Sequence, residues 1–348
     1  VSMVDGGILT PQAGCENEDL DDCGYVPPPP SGTVSTSGVI LNTSDGGDCS
    51  TVGTWDSSTK TCTLTADISM TSDGIGISIP SISYSGVADV GIILDGDGHT
   101  ITGAGITGES FGVRITATSG PSEHVTIKDL TIKDFQFGIK SDETDGLTVS
   151  GVTVDSVGTA MHIEGNPSIV TPTDITGNTV KNSDTGIRLF DIKSDVGSCT
   201  SGTIDVFVQS NTIQNIGNTG IGLHNSDGAC VQNNTIEDST NSIAAQNQSH
   251  DVQIVNNVIT DSTSAALYLQ GAERVYIKGN TITGDGEYGG FIRDEGNNHN
   301  FQIYDNSFQG MTCNNSDNGR IVGNTVSDYN GSAAPGIKIS YCDNIVVS

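Results

Sequence analysis

A slot usually filled by Asn recurs along this chain at Leu130, Val152, Asn178, Asn211, Asn234, Asn257, Asn280, Asn306 and Asn324, at intervals of 18 to 33 residues. Three positions before each slot stands a branched apolar residue: Ile127, Val149, Ile175, Val208, Val231, Ile254, Ile277, Ile303 and Ile321. Two positions after it stand Ile132, Val154, Val180, Ile213, Ile236, Ile259, Ile282, Phe308 and Val326. A unit this short cannot bury its own apolar face, so repetition at this period means stacked copies sharing one continuous core.

The segment VQIVNNVI (252–259) alternates apolar and other residues, the pattern of a strand with one face in a core. A third apolar column falls nine residues past the slot at Ile139, Met161, Ile187 and Ile243. Three short strands and three turns per repeat describe one coil of a parallel β-helix, with coils stacking about 4.8 Å apart. Residues 85–348 then make about ten to eleven coils. Leu130 and Val152 share the slot with Asn, which points the slot inward. A buried Asn must be hydrogen-bonded, and stacked amides satisfy one another from coil to coil, as they do in cross-β ladders.

The opening segment GIILDGDGHTITG (91–103), followed by repeats such as VYIKGNTITG (275–284), resembles the right-handed parallel β-helix superfamily. Within it the resemblance is to the NosD-like, periplasmic copper-binding repeat group and to surface proteins of archaea and bacteria. It covers roughly residues 85–348 and implies an all-β, right-handed solenoid. It leaves function open, because that superfamily includes lyases, hydrolases, tailspikes and adhesins.

The organisation read from the sequence has three parts. Residues 1–32 are an extension with an acidic Cys-closed loop and a stiff run at Pro27 to Pro30. Residues 33–84 hold a disulfide hairpin cap and the first strands, and residues 85–348 hold the β-helix. A net charge of -29, from 13 Lys and Arg against 42 Asp and Glu, excludes nucleic acid as a partner and repels anionic polymers in general. No run of ~18 apolar residues predicts a membrane span, and the absence of a leader at Val1 points to an exported chain already processed.

Eight Cys in a Ser-, Thr-, Gly- and Asn-rich chain suit an oxidising exterior, either extracellular or at the cell surface. Proximity in sequence pairs Cys15 with Cys23, Cys49 with Cys62, Cys199 with Cys230, and Cys313 with Cys342. Candidate glycosylation sequons begin at Asn42, Asn233, Asn247, Asn314 and Asn330.

Two charged segments are candidate chemistry: GIRLFDIKSD (186–195), with Arg188, Asp191, Lys193 and Asp195, and GDGEYGGFIRDEGNNH (284–299), with Asp285, Glu287, Arg293, Asp294, Glu295 and His299. Acid–base work or Ca²⁺ at Asp285, Glu287 or Asp294 is what such groups allow; the more economical reading is solvated decoration. No polygalacturonase-like acid pair is present, so no turnover of pectate, alginate or polygalacturonate is expected. Four Met and six scattered His make no soft-ligand set for copper, and no C-x-x-C pair makes a zinc site. Trp55 is the sole Trp, so aromatic platforms for sugars look scarce.

The function expected on these grounds is an extracellular structural subunit, joined head to tail into a filament, sheath or surface layer. Its partners are copies of itself and glycans, and no cofactor is required. The expected contact pairs Ile8 and Leu9 of one copy with Ile345 and Val347 of the next, through strand addition. The alternatives are a secreted polysaccharide lyase or glycoside hydrolase, and a cell-surface adhesin or glycan-binding β-helix.

Overall fold

The computed structural model describes residues 32–80, 91–116, 122–165, 173–193, 199, 206–284, 290–296, 298–327 and 336–348. Within them the chain winds into coils of three strands, and each strand pairs in parallel with its counterpart one coil away. We call the strands before the slot sheet 1, for example Cys230–Gln232, Gln253–Val255 and Tyr276–Lys278. Sheet 2 follows the slot, and sheet 3 carries the third apolar column, as in Thr159–Glu164 and Ala265–Gln270. Sheets 2 and 3 merge where Thr212–His224 and Thr235–Gln246 run on as single long strands through the intervening turn.

The register keeps like above like. Ile254 lies between Val231 and Ile277, and Ile259 lies between Ile236 and Ile282, all fully buried. Burying an Ile side chain contributes roughly 1.5–3 kcal/mol, so each coil is held mainly by these columns. The third column, read from the sequence as far as Ile243, continues through Leu267, Ile292, Met311 and Ile337. It also includes Ile221, which the nine-residue spacing misses, because the ladder shifts register between Ile216 and Thr219.

The turn into the slot has a specific backbone requirement. Asp129, Gly151, Gly177, Ser210, Asn233, Asn256, Gly279, Asp305 and Gly323, each just before a slot residue, all have φ between 51° and 68°. Only Gly adopts this left-handed conformation freely, and Asn and Asp tolerate it better than most residues. The kink turns the following side chain into the core.

There the slot amides form a ladder. Asn257 Oδ1 accepts from the Asn234 backbone N–H and from Asn234 Nδ2, both at 3.0 Å. Asn257 Nδ2 donates to Asn280 Oδ1 and to the Val231 carbonyl, also at 3.0 Å. The same pattern runs from Val152, whose N–H donates to Asn178 Oδ1, up to Asn324. Ser226, Ser249 and Asn298 serve the turn after sheet 3 in a similar way.

Parallel pairing begins before residue 85: Thr33–Thr36 lies on Asp67–Met70, and Val39–Ile40 lies beside Ile77. The antiparallel hairpin Gly53–Asp56 with Thr61–Leu64 sits at this end, tied by Cys49–Cys62. Two further bridges, Cys199–Cys230 and Cys313–Cys342, staple neighbouring coils. Cys15 and Cys23 lie outside the described residues.

Candidate functional site

Sheet 3 presents its outward side chains in vertical columns, because its register repeats coil after coil. One such column runs Arg114, Lys140, His162 and Arg188 on four consecutive coils, the last three each ten residues past a slot. Beside it lie aromatic rings. Phe111 and Phe137 stack with centroids 5.3 Å apart, His162 meets the edge of Phe137 at 6.2 Å, and Phe190 lies beside His224 at 6.2 Å. Arg114 sits 4.7 Å over Phe111, Lys140 sits 5.9 Å over Phe137, and Arg188 sits 5.5 Å over Phe190. The face is therefore both cationic and aromatic, on a chain whose net charge is -29.

Its charges are unevenly compensated. Arg114 and Lys140 share one carboxylate, Asp142, at 3.4 and 3.2 Å. His162 lies 3.9 Å from Glu164. Among the described residues Arg188 meets no carboxylate at ion-pair distance, and the Nε–H groups of Arg114 and Arg188 are buried without a partner. Burial holds His162 down at about 4, with the Arg188 and Lys140 charges adding to the effect. His224 is lowered to about 4 by burial and then by Arg188. Both imidazoles are neutral at pH 7, so Arg188 stands between two uncharged rings.

Above this stretch the column changes character. Gly222 and Ala244 carry it without a long side chain, and a Cβ at Gly222 would lie 3.3 Å from His224 Nε2. Asn247 Nδ2 donates to His224 Nδ1 at 3.3 Å, which leaves the proton on Nε2. Further up, Tyr268 and Arg293 form a closed group with Glu295. The Tyr268 hydroxyl donates to Glu295 at 3.2 Å, and Arg293 pairs with the same carboxylate.

The residues singled out from sequence separate in space. Arg188 belongs to the column, but Asp191 accepts from Asn225 at the turn, and Lys193 pairs with Asp227 at 3.3 Å. Asp195, Asp285 and Glu287 lie outside the described residues. His299 stands on another ridge, 3.7 Å from Asp317.

Asp294 corrects the reading of these loops as solvated decoration. It is fully buried, because strand alternation puts it in the inward column between Leu269 and Cys313. Its Oδ1 accepts from Ser316 Oγ at 2.6 Å and from Asn298 Nδ2, while Oδ2 has no partner. Burial raises its carboxyl to about 6. A carboxyl so enclosed is no part of a surface Ca²⁺ site.

Two further expectations are revised by the same geometry. The net charge does not make every face hostile to anions, since the column collects three of the 13 Lys and Arg. Aromatic rings on the surface are not confined to Trp55, because half-buried Phe137 and Phe190 line this face, with Phe111 buried beside Phe137. The signal was in the sequence as Lys140, His162 and Arg188, each ten positions past its slot. Among the sequons, Asn233, Asn247 and Asn314 are exposed, Asn42 is half-buried, and Asn330 lies outside the described residues. Of the expected assembly residues, Ile345 is half-buried against the core, Val347 is 50% exposed, and Ile8 and Leu9 lie outside the described residues.

The class follows from the ladder: parallel three-strand coils with inward Ile, Val and Asn columns make this chain a right-handed parallel β-helix. Residues 172–311 match the family described as periplasmic copper-binding protein (NosD). No curated protein matches the chain. Among solved structures it is similar to the Dettilon tailspike protein gp208, with 14% identity and a TM-score of 0.44 over 78% of this chain and 57% of that one. The chain thus spans just over half of the tailspike's length. It is also similar to the periplasmic alginate epimerase AlgG, with 14% identity and a TM-score of 0.42 over 82% and 73% of the two chains. For the Yersinia enterocolitica family 28 exopolygalacturonase the values are 9% and 0.41 over 90% and 71%.

Copper fits the residues poorly. Met70, Met161 and Met311 are buried in the core, and the six described Cys are paired in disulfides. Among the described residues no group of three or more His, Cys, Asp or Glu is arranged to hold a metal ion, and no helix is long and apolar enough to cross a membrane.

Proposed function

We propose that this chain is an extracytoplasmic, surface-acting β-helix that binds an extended glycan along sheet 3, held by the cationic column and packed against the half-buried rings of Phe137 and Phe190. The observation that carries the reading is the column itself, with Lys140 and Arg188 set 5.9 and 5.5 Å over the half-buried rings of Phe137 and Phe190, and Arg114 4.7 Å over Phe111, which is buried beneath them. Sugar rings present C–H faces that pack on aromatic rings, while guanidinium and ammonium groups donate to hydroxyl and ring oxygens. Three disulfides suit an oxidising compartment.

Retardation of the full chain in gels containing soluble polysaccharides tests this. Retardation by at least one linear glycan is expected, and Phe137→Ala should weaken it about five- to tenfold, the equivalent of ~1 kcal/mol for a lost aromatic contact. Retardation unaltered by Phe137→Ala would remove sheet 3 as the site.

A further inference from the structure

Resting on that reading, we infer that the glycan is acidic: a linear polymer bearing one anionic group per sugar, whose groups along one edge engage Lys140 and Arg188, two coils apart in the Arg114, Lys140, His162, Arg188 column, with Arg188 as its anchor. The column supplies one cationic or hydrogen-bonding side chain per coil, and coils rise about 4.8 Å. A linked pyranose advances by a comparable length, but successive sugars of an extended 1,4-linked chain are flipped, so acid groups on one edge recur every second sugar and meet alternate coils, as Lys140 and Arg188 do with His162 between them. A neutral glycan has no use for the charge.

Two observations independent of spacing point to an anion. Three cations face two carboxylates here, in a chain with more than three acidic residues for each basic one. Arg188 also keeps a guanidinium without a carboxylate, set over Phe190 and between His162 and His224, with its buried Nε–H unpartnered. Elsewhere on the chain Arg274 is paired with Asp251 at 2.7 Å and Arg293 with Glu295; Arg320, also without a carboxylate among the described residues, is exposed on sheet 1 and has no buried donor. A guanidinium fork is the side chain best shaped for bidentate contact with carboxylate or sulfate. The neutral imidazoles add donors without adding charge, so Asp142 and Glu164 are left as the carboxylates an acidic ligand must pass, each already engaged by a side chain of the column.

Titration calorimetry on the full chain tests the inference with three probes: a hexamer of a 1,4-linked uronic acid, the same hexamer with its carboxyls reduced to alcohols, and a sulfated neutral hexamer. The acidic hexamer is expected to bind at least tenfold tighter than its reduced form, with affinity falling as salt rises. Arg188→Gln should lose on the order of tenfold or more of that preference, whereas Lys278→Gln on sheet 1 should leave it unchanged. Equal or tighter binding of the sulfated hexamer assigns the anion to sulfate and supports the inference; weaker binding assigns it to carboxylate and supports it equally. Equal affinity for acidic and reduced hexamers, unmoved by Arg188→Gln, overturns the acidic class while glycan binding stands. Failure of all three probes, with gel retardation also absent, overturns both. An unchanged melting curve for Arg188→Gln separates loss of contact from loss of fold.

Discussion

Replacing Asn257 with Leu tests how the coils are joined. Leu keeps the branched four-heavy-atom skeleton of Asn and fills the same slot at Leu130, so the loss falls mainly on hydrogen bonds. Asn257 serves the coil below in two ways: its Oδ1 receives the Asn234 backbone N–H at 3.0 Å, and its Nδ2 reaches the Val231 carbonyl at 3.0 Å. Both main-chain groups are buried; Leu leaves the Asn234 N–H unpaired and takes from the Val231 carbonyl, a member of the sheet 1 ladder, its side-chain donor. At roughly 1–3 kcal/mol for the buried orphan and about 1 kcal/mol for the lost carbonyl bond, the substitution should cost about 2–4 kcal/mol. Asn280 Oδ1 still receives the residue 257 backbone N–H, so the coil above suffers less. Asn324→Leu, at a half-buried position, should cost less because water replaces part of what is lost. Urea unfolding followed by circular dichroism gives the totals, and hydrogen exchange at the Asn234 amide gives the local effect. A loss below about half a kcal/mol for Asn257→Leu, or an Asn234 amide as protected as before, would refute the claim that the ladder is structural.

Other outcomes follow from the same geometry. Ile277→Ala, opening a cavity in a fully buried column, should cost about 2–5 kcal/mol in the same denaturation assay. Removing the Cys313–Cys342 bridge, which closes a sequence separation of 29 residues, should cost about 3 kcal/mol by loop-closure reasoning, measurable by comparing a double Ser variant with the parent. Asp294 rises from 3.8 to about 6 on folding, so the folded state holds its proton over that window. Its contribution is greatest below 3.8, is lost as pH rises through about 6, and amounts to on the order of 2–3 kcal/mol. His162 and His224, lowered from 6.5 to about 4, act in the opposite sense and destabilise as pH falls through the same range. The difference between parent and Asp294→Asn stability curves should therefore isolate the falling limb, and parallel curves would contradict it.

The coil was legible because its constraints are local and repeated. Apolar columns at fixed offsets from the slot mark the inward face, and the Gly, Asn, Asp or Ser before each slot marks the left-handed turn. The third column was legible only where coils keep their length. An extra residue between Ile216 and Thr219 displaces Ile221 from the expected spacing. Outward residues carry no apolar signal, so Arg188 was read beside Asp191 and Lys193, its neighbours in sequence, rather than beside His162 and Lys140, its neighbours in space. Asp294 was misread because a charged residue is rarely fully buried. Its partners, Asn298 and Ser316, are supplied by the following turn and the next coil.

Affinity as a function of oligomer length tests the central claim most directly, because the face from Phe111 to His224 crosses five successive coils. Titration with uronate oligomers of two to eight sugars should show affinity climbing with each added sugar to about five and then levelling, and Arg188→Gln should flatten the climb. Affinity already at its limit for a disaccharide, or a length series indifferent to Arg188, would contradict a ligand laid along the column.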